Sequence, residues 1–151
     1  MQAGREVKYQ AWIIPTREMK VVTSLRFDEN GKLYGITTPD TPVGGCIILK
    51  SVRLRQFTGL RDRNGKEIYE GDIIKGTTYL YAHELKNGKQ FDYFGAVEWG
   101  SQADVGLCWL VSDKQGSWEL RQTVHRNDID YCTGEVIGNI YENPELLEVG
   151  K

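Results

Sequence analysis

The stretch Arg55-Gln-Phe-Thr-Gly-Leu-Arg-Asp-Arg-Asn-Gly-Lys-Glu-Ile-Tyr-Glu-Gly-Asp-Ile-Ile-Lys75 decides how this chain is read. Thr58-Gly59-Leu60 opens a turn, and Asp62 to Gly65 makes a tight hairpin. Lys66–Tyr69 is then a very short strand, Glu70-Gly71 a second turn, and Asp72–Lys75 the start of a longer strand. A Gly-Asp pair ahead of β-branched residues is a common entry into the first long strand of a small SH3-like barrel. The glycine permits the bend, and the aspartate bonds to backbone amides there. Thr58, Gly59, Asp62, Asn64, Gly65, Tyr69, Gly71 and Asp72 are therefore read as the fold-defining turn motif. Gly95-Ala96-Val97-Glu98-Trp99 is the expected partner strand, and Glu135–Ile140 the strand that closes the sheet.

Turn signals recur on both sides of this segment. Asn30-Gly31, Asn64-Gly65 and Asn87-Gly88 suit two-residue hairpin loops, in which both central residues take positive φ. Asp113 to Gly116 divides Leu107–Ser112 from Ser117–Val124 in the same way. In Val21–Phe27, Val21, Thr23, Leu25 and Phe27 alternate with more polar residues, the period of a half-buried strand. Helix signals are scarce, because 17 scattered glycines interrupt most windows long enough for a helix. Asn143-Pro144-Glu145-Leu146-Leu147-Glu148 is the clearest candidate, with Asn143 as cap and Pro144 at the first helical position. A second short helical turn is expected after Asn127, where Asp128 and Asp130 bracket Ile129. The two prolines and two glycines of Thr38–Gly45 mark a surface loop and a boundary. No repeat is apparent. The expectation is an all-β protein: an N-terminal antiparallel β-layer over residues 1–50, then an SH3-like barrel over 51–151 with a short C-terminal helix.

Composition narrows the function classes. Nineteen Lys and Arg against 21 Asp and Glu give a formal charge of −2, which excludes a general attraction to nucleic-acid phosphate. The longest apolar run is Leu107–Val111, far short of the ~20 residues a membrane helix needs. Arg5, Glu6 and Lys8 precede only a brief apolar stretch, so no secretory leader is expected and the protein is read as cytoplasmic. Cys46, Cys108 and Cys132 are odd in number and far apart, which suits reduced, packed thiols.

Four pieces of the sequence resemble the YopX family, small proteins encoded by bacteriophages and prophages. They are Arg5-Glu-Val-Lys-Tyr-Gln-Ala-Trp12, the 55–75 segment, Gly95-Ala-Val-Glu-Trp99, and Glu135-Val-Ile-Gly-Asn-Ile-Tyr-Glu-Asn-Pro-Glu-Leu-Leu147. Two departures fall near the N-terminus: Gln2-Ala3-Gly4 precede the Arg-Glu pair, and Ile13-Ile14-Pro15 replaces a more usual acidic turn. The resemblance implies a mainly β fold in an infected or lysogenic bacterial host. It implies no activity and carries over no catalytic residue, because the function of the family is unknown.

Chemistry read from the residues is sparse. Cys46, His83, Cys108, His125 and Cys132 lack the close spacing of a zinc site, so no metal and no cofactor is expected. Cys108 sits in a run apolar on both faces, where burial would raise its pKa and leave it a poor nucleophile, and His125 reads as a solvated strand end. Asp62, Glu67, Glu70 and Asp72 could act as acid and base or hold a cation, but turn chemistry and the interleaved Arg61, Arg63 and Lys66 account for them.

Two binding classes remain. Tyr79, Tyr81, Phe91 and Tyr93 beside Lys86 and Lys89 form a candidate face on which nucleic-acid bases could stack, and Arg53, Arg55, Arg61 and Arg63 are a second basic group. Against this, strand aromatics mostly fill cores. The favoured class is a non-enzymatic module acting through protein contacts, a homo-oligomer with a host or phage protein as partner. Sixteen aromatics (4 Trp, 8 Tyr, 4 Phe) exceed what one small core hides, although Trp99, Trp109 and Trp118 are read as core. Exposed β edges favour pairing with another copy.

Overall fold

A backbone amide in a tight turn needs an acceptor, and two aspartates supply one in the same way at two hairpins. Asp28-Glu-Asn-Gly-Lys32 and Asp62-Arg-Asn-Gly-Lys66 share one pattern, a repeat the sequence reading passes over. In each, the aspartate Oδ1 accepts the amide of the asparagine two residues on and of the lysine four residues on, all at 2.8–2.9 Å. Each aspartate N–H donates to the lysine carbonyl, and each glycine N–H donates back to the aspartate carbonyl. Gly31 and Gly65 take φ of +75° and +86°, whereas Asn30 and Asn64 do not have positive φ. These are therefore three-residue loops closed by one left-handed glycine, not the two-residue turns the Asn-Gly pairs suggest.

A computed structural model of the chain describes residues 6–80, 89–102, 106–114, 116–120, 124–126 and 129–149. Its first strands are β1 (Tyr9–Ile13), β2 (Glu18–Val21), β3 (Ser24–Phe27), β4 (Leu33–Thr37) and β5 (Ile47–Ile48). A 3₁₀ turn, Leu49–Ser51, leads into β6 (Val52–Arg61), followed by β7 (Glu67–Tyr69), β8 (Asp72–Leu80) and β9 (Lys89–Gln102). The remaining elements are β10 (Gly106–Ser112), β11 (Ser117–Glu119), β12 (Val124–Arg126), β13 (Ile129–Tyr131), β14 (Glu135–Asn139) and α1 (Leu146–Val149). No helix among the described residues is long and apolar enough to cross a membrane. The chain divides into two compact units, Met1–Phe57 and Thr58–Lys151. The division lies within a strand, later than the Pro/Gly-rich loop where composition places it.

In the first unit, β1 pairs antiparallel with β2 and with Val52–Gln56 of β6, while β4 lies between β3 and β5. Ala11, Ile13, Ile36 and Val52 are its buried core, with Val22, Leu25, Ile47, Leu49 and Leu54 packed against them. Burying such side chains stabilises by about 1.5–3 kcal/mol each. The stretch expected to be one strand, Val21–Phe27, is two strands that belong to different sheets. The break after Val21 resets the alternation, so Val22 and Leu25 reach the core while Val21 and Phe27 are exposed.

The second unit is built on a five-stranded antiparallel sheet ordered β11-β10-β9-β8-β14, curled into a half-barrel. The expected pairings hold. Ile73 and Ile74 of β8 oppose Ala96 and Gly95 of β9, and β14 lies along the other side of β8. The smaller strands depart from a purely antiparallel plan, because β13 meets Arg61 of β6 in parallel. Ile129–Tyr131 is thus a strand paired with β12, where a helical turn was expected. The C-terminal helix is a single turn, and the Asn143 Oδ1 accepts the Asn139 amide at 3.3 Å instead of capping it.

The core of this unit gathers Ile68, Ile74, Tyr93, Val97, Trp109, Val111, Leu120, Cys132 and Val136. Glycines make room for its one tyrosine: a Cβ on Gly76 or Gly134 would lie 2.5 Å from the Tyr93 hydroxyl. Burial pushes the Tyr93 phenol and the Cys132 thiol above their ordinary pKa ranges. Both are acids that the fold keeps neutral, so on raising the pH the unfolded chain loses their protons first. Each contribution is complete below the group's unfolded value, about 8.5 for a thiol and about 10 for a phenol, and is lost as pH climbs through the folded value. Melting temperature should therefore fall as pH rises past about 8.5, and fall less steeply above about pH 10 in Tyr93→Phe. Parallel curves for the two proteins would contradict this account.

Candidate functional site

The turn motif assembles around Asp62, which is 1% exposed. Its Oδ1 accepts Asn64 and Lys66 N–H as described, and its Oδ2 accepts the N–H of Val136 in β14 at 3.0 Å. One carboxylate therefore closes the hairpin and caps the outer edge of the last strand. Arg63 N–H adds a bond to the Gly134 carbonyl at 2.9 Å. Thr58 Oγ1 donates to the Ile68 carbonyl and accepts Leu60 N–H, with Gly59 at φ +88° beside it. Tyr69 N–H donates to Asp72 Oδ2 at 2.8 Å. Gly71 holds φ +80°; its amide donates to Val97 and its carbonyl accepts Ile140 N–H.

This geometry decides what the acidic cluster does. Glu67 accepts Arg61 Nη2 and the Tyr69 hydroxyl, each at 2.8 Å, and Asp62 and Asp72 hold backbone amides. Carboxylates engaged in this way fix turns. Among the described residues no three of His, Cys, Asp and Glu are grouped to hold a metal ion. All three cysteines are free thiols, with Cys46 exposed, Cys108 half-buried and Cys132 buried. Burial raises the Cys132 thiol above its ordinary range, and Cys108, singled out for its apolar run, is only half-buried.

Of the aromatic face read from the sequence, Tyr93 is the one side chain among the described residues. Tyr93 is only 7% exposed and belongs to the core, so it offers no platform for a base. Its inward side chain follows from the alternation that also buries Val97 in the same strand. Tyr81 and Lys86 lie outside the described residues, and Tyr79, Lys89 and Phe91 are placed as strand backbone only. Arg55 of the second basic group is buried, with Nη1 donating to Gln10 Oε1 at 3.0 Å.

A different aromatic group is on the surface. In the β9–β10 hairpin Val97 opposes Val111, Trp99 opposes Trp109, and Ser101 opposes Leu107. These six residues share one face of the hairpin. Going outward, Val97 and Val111 are core, Trp109 is 8% exposed, Trp99 49% and Leu107 71%. The core thus runs out into water as an apolar ledge. Trp99, read as core from the sequence, is one of its two exposed apolar members. The rings of Trp99 and Trp109 meet edge to face, with centroids 5.0 Å apart and planes at 69°. The buried Trp109 Nε1–H has no hydrogen-bond acceptor among the described residues, a state that costs about 1–3 kcal/mol. The available signal was the same-face run of 97, 99, 107, 109 and 111, longer than a sheet needs in order to bury one layer.

Similarity to known proteins agrees with the fold. The family model described as YopX protein matches residues 8–148. The crystal structure of protein EF1440 from Enterococcus faecalis is similar at a TM-score of 0.55 and 25% sequence identity, covering 95% of this chain and 99% of that one. No curated protein matches the chain in sequence.

The two aspartate turns form an internal comparison, since Asp28 is exposed and lacks the bond to a neighbouring strand. Asp62→Asn keeps the shape but turns an amide group toward the Val136 donor. It should lower unfolding free energy by about 3 kcal/mol, against about 1 kcal/mol or less for Asp28→Asn. Urea denaturation followed by tryptophan fluorescence measures both. Equal losses would show that the buried carboxylate does not anchor β14.

Proposed function

The chain belongs to the YopX family, and from that premise we propose that it is a non-enzymatic phage or prophage accessory protein that works through protein contacts. The observation that carries this reading is the ledge of Trp99 and Leu107, two large apolar side chains left in water at the end of the second unit's core. Tryptophan anchors contribute heavily to protein interfaces because they bury a large rigid area. The ionisable groups support the same reading. Asp62, Glu67 and Asp72 are occupied by backbone and side-chain bonds that hold turns, which leaves them unsuited to moving protons. The burial of Tyr93 removes one member of the face proposed for nucleic acid.

Site-directed photocrosslinking tests the reading. A photoreactive residue placed at position 99 or 107 should join the protein to a defined polypeptide in cells. The same residue at the fully exposed Val43 should not. Crosslinks to nucleic acid from position 99, or equal yields from 43 and 99, would overturn the proposal. So would turnover of a substrate that Trp99→Ser leaves unchanged.

A further inference from the structure

The twin aspartate turns each carry an Asn-Gly pair, and they differ in what holds them shut. In both, the glycine N–H is engaged: Gly31 donates to the Asp28 carbonyl at 3.0 Å and Gly65 to the Asp62 carbonyl at 2.9 Å. Residues 28–32 are all exposed, and among the described residues their hydrogen bonds run within the turn itself. Around the second turn the bonds reach outward. Asp62 is buried and holds the Val136 amide, Arg63 N–H donates to the Gly134 carbonyl, and Arg61 Nη1 donates to the Gly65 carbonyl at 3.1 Å. Water can replace the partners of the first turn as it opens, whereas opening the second strands a buried carboxylate.

We propose that Asn30 is a site of spontaneous deamidation in the folded protein, with water as the co-reactant, and that Asn64 is protected from the same reaction. In an Asn-Gly pair the glycine has no side chain to obstruct ring closure at its nitrogen. Once the Gly31 nitrogen leaves the Asp28 carbonyl, it forms a bond to the Asn30 Cγ, and its proton departs with the carboxamide nitrogen as ammonia. Water then opens the cyclic imide at either carbonyl, giving aspartate or its β-linked isomer. One water is consumed and one ammonia released, with no oxidation or reduction. Either product places a third carboxylate in a turn that already holds Asp28 and Glu29, and the β-linked one lengthens the backbone of a three-residue loop. The hairpin between β3 and β4 thus ages by a one-way change from which its twin is spared. This modification concerns the first unit and stands apart from the protein-contact reading.

Peptide mass spectrometry of the full chain, incubated folded in mildly alkaline buffer, tests this, and a parallel sample in concentrated urea gives the reactivity of the open chain. Asn30 should convert at least about thirtyfold faster than Asn64 in the folded protein, and the two should convert at similar rates in urea. The β-linked isomer should be among the Asn30 products, since direct hydrolysis of the side chain cannot form it. Asp28→Ala deletes the acceptor of the Asn30 and Lys32 amides. It should speed conversion at Asn30 about fivefold and leave Asn64 as it was.

Equal rates at Asn30 and Asn64 in the folded protein would overturn the proposal, because the buried carboxylate would then protect nothing. So would a preference for Asn30 that persists in urea, which would place its cause in the neighbouring residues and not in the fold. An Asn30 rate indifferent to Asp28→Ala would mean that the first turn does not open on its own. Aspartate without its β-linked isomer would exclude the ring closure.

Discussion

One carboxylate with three donors organises the second unit. Asp62 has almost no contact with water, and its oxygens receive backbone N–H groups from Asn64, Lys66 and Val136. Burying an ionised group is costly unless hydrogen bonds replace its hydration. Here they do, and they come from two places distant in sequence. The β6–β7 hairpin cannot open without stranding the Val136 amide, and β14 cannot leave without stranding the carboxylate. The same contact protects the outer edge of the terminal strand in the five-stranded sheet, a place where unpaired amides would otherwise invite aggregation. The ion pair of Arg63 with Glu135, at 2.6 Å, lies nearby on the surface and adds little by comparison.

From that anchor the rest of the unit follows. With β14 fixed along β8, the sheet curls and brings Ile74, Val97, Val111 and Val136 into one core. Gly76 and Gly134 leave space for Tyr93 in the middle of it. The β9–β10 hairpin then carries the same apolar face beyond the area that the curled sheet can cover. Trp99 and Leu107 are in water because a face that points inward near Val97 has nothing further to pack against. Packing at one end and exposure at the other are consequences of one strand alternation.

Much of this was legible in the chain. Gly71-Asp72 before Ile73-Ile74 marked the start of the long strand, and the partner strands through Gly95–Trp99 and Glu135–Asn139 were legible as well. Local bonding explains that success, since turn residues declare themselves through φ and short-range acceptors. What escaped depended on distance. Nothing near Asp62 reveals that its second oxygen reaches Val136, which makes the difference between it and Asp28. Tyr93 and Trp99 have the same parity in one strand, yet the first is buried and the second half exposed, and only the extent of the opposing layer separates them. The split of Val21–Phe27 was hidden for a related reason, because the alternation gives no sign that the chain changes sheets at residues 22 and 23.

Amide hydrogen exchange observed residue by residue is the most direct test of the anchor, and the twin turns supply the control. The amides of Lys66 and Val136 should exchange as slowly as those of the core strands, through global unfolding alone. The Lys32 amide, bonded in the same manner to the exposed Asp28, should exchange orders of magnitude faster. Similar rates for Lys32 and Lys66, or a Val136 amide that opens independently of the core, would contradict the view that Asp62 holds this unit together.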